Sequence, residues 1–495
     1  MEVSSFRGVH YKGLQVGEYI AENEAGNLVE DYFVETSAYR DALSGNQTVF
    51  VGRKGAGKTA NLLKLASELG KNKRNLVCVI KPPAYELDSV LSLFRRYKER
   101  DAKGYAVESL WKFLILTEMA HAEVASRVQL PSGVISGEVT ALRELVQADG
   151  GKLGGDFAVR LERCLDALIH CKTSGDSIEA TRTAISEALH QSEIRNLREL
   201  LGKTLSERER IVILIDNLDK PWDRQSDFNN LAEFLLGLLG AANRLIVDFR
   251  RADSRRLPAN LNLAVFLRSD IFDKLMAVAR EPDKILHSRL RWGDSELLIR
   301  VIEERFVTSH AGGVRPEEIW GQFFCKHVKG IPPKEYFVSR ILPRPRDLVF
   351  FVKAAMATAV NRNHTMVTEQ DILDSEKQYS QFAFDSILVE TSASTERMED
   401  ILYEFVGSSS VLAQTDLESR LSKIGTSDVK GVIELLCCIS FLGLETRKDH
   451  FRFVEELQEY RKALTLAHQF ARHRGRNLRY RIHPAFAAFL ELHDN

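Results

Sequence analysis

Lys58 and Thr59 close the run Gly52-Arg53-Lys54-Gly55-Ala56-Gly57-Lys58-Thr59, whose spacing is G-x-x-x-x-G-K-[ST]. Gly52, Gly55 and Gly57 let the backbone turn tightly and bring successive N–H groups close to phosphate oxygens. A lysine at this spacing reaches the β- and γ-phosphates of a nucleotide, and the following hydroxyl holds Mg²⁺. A helix starting here adds the partial positive charge of its N-terminus. The chemistry indicated is binding of a nucleotide triphosphate with Mg²⁺. A second candidate lies downstream, where Ile211-Val212-Ile213-Leu214-Ile215 ends in Asp216. A carboxylate at the carboxyl end of a buried strand faces the ligand crevice of a parallel sheet and can bind the metal of the nucleotide, usually through water. Asn217-Leu218-Asp219-Lys220 follows, and its order is not that of the guanine-reading N-K-x-D.

These groups work only if held by the right elements. Thr48 to Val51 predicts a buried strand before the loop. Ala60, Leu62, Leu63, Leu65, Ala66 and Leu69 predict an amphipathic helix after it. Leu76 to Ile80 predicts a second strand, stopped by Pro82-Pro83. Leu263 to Leu267 predicts another, ending at Arg268-Ser269-Asp270. Arg268 is placed either to sense the γ-phosphate, or to cap the sheet edge or pair with Asp270. Asp227 to Gly240 predicts a helix and Leu245-Ile246-Val247 a short strand. Thr36 to Leu43 predicts a helix ending at Gly45, with Phe33, Tyr39 or Arg40 lining a base pocket or packing on the sheet.

The stretch 84–210 reads as mostly helical, with Leu110 to Leu116 apolar nearly all round and therefore buried. Ala148 to Gly155 reads as a flexible connection, because its glycines lack the G-K-[ST] ending. Helices follow from Lys284 to Ser380: one over Leu297 to Phe306, one over Leu348 to Val360, and one opened by Thr368 as N-cap. Arg344 and Arg346 stand at the start of the second. Two cations there oppose the helix dipole, which is understandable if an anion sits nearby, or if they form a surface turn paired with Asp347.

Beyond Thr395 three short helices are predicted, Thr395 to Val406, Thr415 to Ser422 and Ser427 to Ile439. Leu442 to Thr446 and Arg452 to Val454 then pair around Arg447-Lys448-Asp449. Helices followed by a hairpin is the order of a winged-helix module. Arg472, His473, Arg474, Arg476, Arg479 and Arg481 form the densest basic cluster, placed either to track a phosphate backbone or as a solvated helix end and loop.

The 495 residues predict two to four domains. Apolar content of 44% and charged content of 28% are those of a globular chain, and a net charge of −1 advertises no global attraction to nucleic acid or acidic membrane. No apolar run long enough to span a bilayer and no signal-peptide core is evident. Cys78, Cys164, Cys171, Cys325, Cys437 and Cys438 lack C-x-x-C spacing, which predicts reduced core residues in a cytoplasmic protein rather than a zinc site.

The loop, the strand ending in Asp216, Phe266-Leu267-Arg268-Ser269-Asp270-Ile271, Arg344-Pro345-Arg346-Asp347-Leu348 and Val367-Thr368-Glu369-Gln370-Asp371-Ile372 stand in one order. In that order the chain resembles bacterial P-loop ATPases of the AAA+/STAND kind, with the layout of origin initiators, from about Phe33 to Ser380. The resemblance implies an α/β fold: a P-loop NTPase parallel sheet with a large helical insertion (84–210), a helical lid and a C-terminal, mainly helical winged-helix-like domain. It implies domains at 1–283, 284–394 and 395–495. It implies that Gly52, Arg53, Lys54, Gly55, Ala56, Gly57, Lys58, Thr59 and Ala60 contact ATP, with Thr59 and Asp216 on Mg²⁺. Arg268 or Ser269 falls near the γ-phosphate sensor, and Arg344 or Arg346 near the lid arginine. Such proteins occur in bacterial defence and DNA maintenance.

One departure bears on catalysis. Many members carry an acid directly after the metal aspartate, where this chain has Asn217, so Asp219 is the candidate substitute. Two functions follow. One is an ATP-hydrolysing switch coupled to DNA, a protein or a second copy of the chain. The other is a nucleotide-dependent DNA- or protein-binding module with little hydrolysis. A small-molecule kinase would need an acceptor pocket in 84–210, and no residue constellation there suggests one.

Overall fold

The computed structural model describes residues 16–81, 87–97, 99–128, 136–147, 153–171, 177–189, 191–218, 228–251, 258–309, 315–391, 397–425 and 428–493. The chain forms two compact units. The sheet unit is Glu35–Arg53 with Lys58–Leu290, and the helical unit is Met1–Val34 with Lys54–Gly57 and Arg291–Asn495. Helix α1 (Ala25–Glu30) belongs to the helical unit.

The sheet unit is built on five parallel strands in the order β2-β3-β4-β1-β5: β1 Val49–Gly52, β2 Asn75–Ile80, β3 Arg210–Ile215, β4 Leu261–Arg268 and β5 His287–Arg289. Strand β3 is buried along nearly its whole length, which is why it reads as an unbroken aliphatic run rather than an alternation. Strand β4 lies between β3 and β1, so its carboxyl end falls between Asp216 and the loop in the strand order. The register pairs Gly52 of β1 with Arg268 of β4 and Ile215 of β3 with Val265 of β4.

Helix α2 (Ser37–Ser44) starts at the Thr36 cap, whose side chain accepts the Tyr39 N–H, and stops at Gly45 in the left-handed region. Helix α3 (Lys58–Gly70) begins at the motif lysine itself. Among the described residues, six helices occupy the insertion: α4 (Leu87–Arg96), α5 (Arg100–Val128), α6 (Gly137–Gln147), α7 (Phe157–His170), α8 (Ile178–Ala188) and α9 (Gln191–Leu205). The unit closes with α10 (Phe228–Arg250) and α11 (Ser269–Val278).

Helix α5 is the spine of the insertion. Leu110, Trp111, Phe113, Leu114, Ile115 and Leu116 are all buried, and the Trp111 indole N–H donates to Phe234 O of α10 at 2.9 Å. Removing an aromatic this enclosed costs about 3–5 kcal/mol. Glu123, also on α5, is wholly buried and accepts from both Arg127 and Arg208, so its charge is paired rather than stranded.

Leu245-Ile246-Val247 is not a strand. Helix α10 continues through it, burying Leu235, Leu238, Ala242, Leu245 and Phe249 at helical spacing while Val247 stays exposed. Among the described residues, Asn229–Arg250 is the one segment long and apolar enough to cross a membrane by composition; here half of it is buried within the fold.

The helical unit carries α12 (Ser295–Ser309), α13 (Pro316–Phe323), α14 (Pro333–Arg340), α15 (Pro345–Asn361) and α16 (Glu369–Thr391). Thr368 caps α16 in a reciprocal box with Asp371: each backbone N–H is accepted by the other's side chain, at 2.9 and 3.3 Å. Next come α17 (Met398–Tyr403), β6 (Val411–Ala413), α18 (Gln414–Lys423), α19 (Val429–Cys438), β7 (Leu442–Arg447), β8 (His450–Arg452), α20 (Leu457–His473) and β9 (Arg479–Ile482). The four strands form an antiparallel sheet ordered β6-β9-β7-β8; the expected hairpin is present with its second strand at His450–Arg452 rather than Arg452 to Val454, and two unforeseen strands extend it. The helix expected from Thr395 is the shorter α17; Thr395 and Ser427 lie outside the described residues.

Candidate phosphate and metal site

In the sheet unit, α3 places Lys58 and Thr59 beside the carboxyl ends of β1 and β3. The Thr59 hydroxyl donates to Asp216 Oδ2 at 2.9 Å. These two side chains, 157 positions apart in sequence, are the pair the motif assigns to Mg²⁺. Asp216 is buried, and its backbone N–H is held by Ile80 O at 3.1 Å, which fixes the strand end. A carboxylate and a hydroxyl side by side are oxygen donors of the kind Mg²⁺ takes, so the residues present fit that ion. The Lys58 ammonium donates to Gly52 O at 3.0 Å and Arg53 O at 3.1 Å, curling over the start of the loop.

Asn217 follows with φ of 68°. The left-handed region is open to asparagine at small cost, and the chain turns sharply as it leaves the sheet. Its carboxamide can orient a water but cannot take up its proton. Asp219, expected to substitute, lies outside the described residues. Arg268 ends β4 and makes a two-point pair with Asp270, Nε to Oδ1 at 3.1 Å and Nη2 to Oδ2 at 2.6 Å. Of its expected roles, pairing with Asp270 is the one seen; a phosphate would have to compete with that carboxylate. Ser269 opens α11 directly behind it. Lys274, one turn further on, has its ammonium pushed down by burial.

The helical unit contains the middle of the loop, Lys54 to Gly57. Gly55 and Gly57 take φ of 85° and 88°, which a side chain would strain, and a Cβ on Gly55 would stand 3.0 Å from Arg346 Nε. The Trp292 indole N–H donates to Ala56 O at 3.0 Å. Arg344 and Arg346 do not form a surface turn. Arg344 is 1% exposed; it donates to Lys54 O at 2.8 Å and faces Asp347 and Glu390 at 3.3 and 3.4 Å. A buried guanidinium charge requires such partners, and the turn is drawn inward to meet them. Arg346 donates to Ser386 Oγ and lies over the Phe382 ring at 5.2 Å. Burial pushes its guanidinium below the ordinary value, only partly offset by Asp347.

The base-pocket candidates separate. Tyr39 is 1% exposed in the core of the sheet unit, where burial pushes its phenol up to about 12. Arg40 is exposed and pairs with Glu35 at 3.5 Å. Phe33 belongs to the helical unit and is half-buried. Glu390, Ser386 and Trp292 were not foreseen as loop partners. A single acid near the end of an amphipathic helix carries no local signal of what it touches 336 positions away.

The basic cluster also divides. Arg472, Arg474 and Arg476 are exposed at the end of α20 and in the turn after it. Arg479 instead pairs with Glu445 at 3.0 Å and Asp449 at 3.4 Å. Arg481 of β9 lies 5.9 Å over the Phe451 ring, with the Arg479 guanidinium at 5.8 Å on the same ring. Lys448, Phe470, Arg474 and Arg476 line one shallow cleft.

Comparison with known proteins matches residues 296–388 to the FunZ-associated C-terminal helical domain, which is the stretch of α12 to α16. An Escherichia coli (strain K12) protein named "Putative transposon gamma-delta 80.3 kDa protein" is 22% identical over 453 residues, 87% of this chain. The chain spans 62% of the length of that relative. Among solved structures, Cdc6p from Pyrobaculum aerophilum is similar at 12% identity and a TM-score of 0.31, over 90% of this chain and 98% of that one. The Aeropyrum pernix ORC2 protein, in ADPNP–ADP complexes, is similar at 11% and 0.34, over 98% and 94%. The Aeropyrum pernix ORC1 protein in complex with DNA is similar at 13% and 0.33, over 92% and 95%. Likeness at that level carries no function across.

Proposed function

We propose that the chain binds ATP with Mg²⁺ through Gly52 to Ala60 and Asp216, and uses the nucleotide state to control engagement of a DNA or protein partner. The observation that carries this is the Thr59–Asp216 contact at 2.9 Å, which brings the hydroxyl of one motif to the carboxylate of another at the carboxyl ends of the strands of one sheet. When bound, Mg²⁺ supplies charge neutralisation at the phosphates. Lys58 exchanges its two loop carbonyls for phosphate oxygens. Asp216 and Thr59 hold the metal, and Arg268 senses the γ-phosphate at the cost of its Asp270 pair. Arg346 is the lid arginine of the two candidates, since Arg344 is already spent on Lys54 O, Asp347 and Glu390.

The divisions 1–283, 284–394 and 395–495 are the proposed core, lid and partner-binding domains. The DNA partner rests on the helix-helix-hairpin order of α18, α19, β7 and β8, and on the exposed Arg472, Arg474 and Arg476.

A second reading, nucleotide-dependent binding with little turnover, is favoured by one observation: Asn217 stands where an acid would take the proton of the attacking water. Phosphate release by the full chain, with and without duplex DNA, separates the two. Turnover that requires Asp216 and rises with DNA supports the switch. ATP binding with no release under either condition supports the module.

A further inference from the structure

We propose that Glu390 is a positioning residue for the phosphate loop: with Arg344 it clamps the Lys54 peptide at both ends and keeps the following loop N–H groups aimed at phosphate. This rests on the ATP reading above and assigns α16 a task within it. The Lys54 N–H donates to Glu390 Oε1 at 3.3 Å, and the Lys54 carbonyl accepts from Arg344 Nη1 at 2.8 Å. The two clamping side chains meet each other, Arg344 Nη1 to Glu390 Oε2 at 3.4 Å.

The clamp is itself braced. Arg344 Nε lies 3.3 Å from Asp347 Oδ2, and the other oxygen of Asp347 accepts from the Tyr379 hydroxyl at 3.0 Å. That hydroxyl accepts the Leu342 N–H at 3.0 Å, just before the turn that carries Arg344. One helical turn before Glu390, on the same face of α16, Ser386 accepts from Arg346, whose side chain lies against Gly55. Two consecutive loop residues are thus gripped by two consecutive turns of one helix.

Burial makes the arrangement stiff. Glu390 is 7% exposed and Asp347 fully buried, so neither carboxylate can leave its arginine without stranding a charge. A phosphate loop binds through N–H groups that must already converge before the ligand arrives. Losing the acceptor on Lys54 N–H removes one of the contacts that fix that peptide, beside the Lys58 bond to Arg53 O, and the ligand must then order it more on binding.

The test uses the full chain and fluorescent MgATP titration, with thermal unfolding alongside. Glu390→Ala removes both contacts and is expected to raise Kd roughly tenfold, the scale of one hydrogen bond to a charged group. Glu390→Gln keeps an acceptor for Lys54 N–H and is expected to recover most of that loss. Tyr336→Phe removes a buried bond to Glu376, at 2.5 Å, away from the loop; it should lower Tm and leave Kd unchanged. Glu390→Ala binding like wild type, while Lys58→Ala does not bind, would overturn the clamp alone. So would a Tyr336→Phe protein whose Kd rises as far as that of Glu390→Ala. A wild type that binds no MgATP would overturn the ATP reading and the clamp with it.

Discussion

Which arginines of the C-terminal cluster can serve a phosphate backbone is decided by their partners. Arg479 already satisfies Glu445 and Asp449, and its removal would leave Glu445, 8% exposed, without that cation. Arg474 and Arg476 are exposed, and the Arg474 guanidinium lies over the Phe470 ring at 5.0 Å. Each phosphate contact on duplex DNA contributes about 0.9 to the slope of log affinity against log salt. Replacing Arg474 and Arg476 together by alanine should therefore flatten that slope by about 1.8. Across a fourfold rise, from about 50 to 200 mM salt, wild type should lose about tenfold more affinity than the double variant. Arg479→Ala should leave the slope unchanged and lower Tm instead. Fluorescence anisotropy on a labelled duplex at four salt concentrations measures all three. A double variant parallel to wild type, or an Arg479→Ala line flattened as much, would refute the assignment. No binding by wild type at low salt, with or without ATP, would remove DNA as the partner.

Asp216→Ala should abolish Mg²⁺-dependent phosphate release, whereas Asn217→Ala should leave part of it, because the amide only orients water; single-turnover kinetics on both variants decides, and the reverse order would contradict the metal role. Acid stability should depend on Asp371. Burial pushes its carboxyl up, but hydrogen bonds from His364, Thr368 and Arg362 outweigh that and hold it below the ordinary value. A depressed folded value gives stability that is full above the unfolded value, about 3.9, and is lost as pH falls through the lower folded one. Thermal unfolding of Asp371→Asn should show a deficit at pH 6 that shrinks below about pH 4; a pH-independent deficit would refute the linkage.

The part of the sheet that carries the loop was legible because strong local signals coincide there. Val49 to Thr59 announces strand, loop and helix in one run, and the aliphatics of β3 can only be a fully buried strand. Strand β5, His287-Ser288-Arg289, carries no such pattern; it exists because β1 offers an unpaired edge. Leu245-Ile246-Val247 looked like a strand by composition, but helical burial of Leu245 and Phe249 overrides the β-propensity of three residues. Helix α20 was not foreseen although it carries a helical signal: Leu457, Tyr460, Ala463, Ala467 and Phe470 recur at helical spacing, and Tyr460, Ala463 and Ala467 are buried. Of the two readings offered for Arg344, a nearby anion or a surface turn, the surface turn fails for a different reason. The burial of Arg344 depends on Glu390, 46 positions away, and on a loop 290 positions away, and no local window contains either.

Lys58, Thr59 and Asp216 are proposed to form one Mg²⁺–nucleotide site. Calorimetric titration of ATP into wild type and Lys58→Ala, each with Mg²⁺ and with EDTA, tests it most directly. Wild type should bind one ATP per chain, more weakly without Mg²⁺. Lys58→Ala should lose about tenfold or more, since a charged hydrogen bond contributes roughly 1.5–3 kcal/mol. Equal affinity in the two proteins, or wild-type binding indifferent to Mg²⁺, would contradict the account.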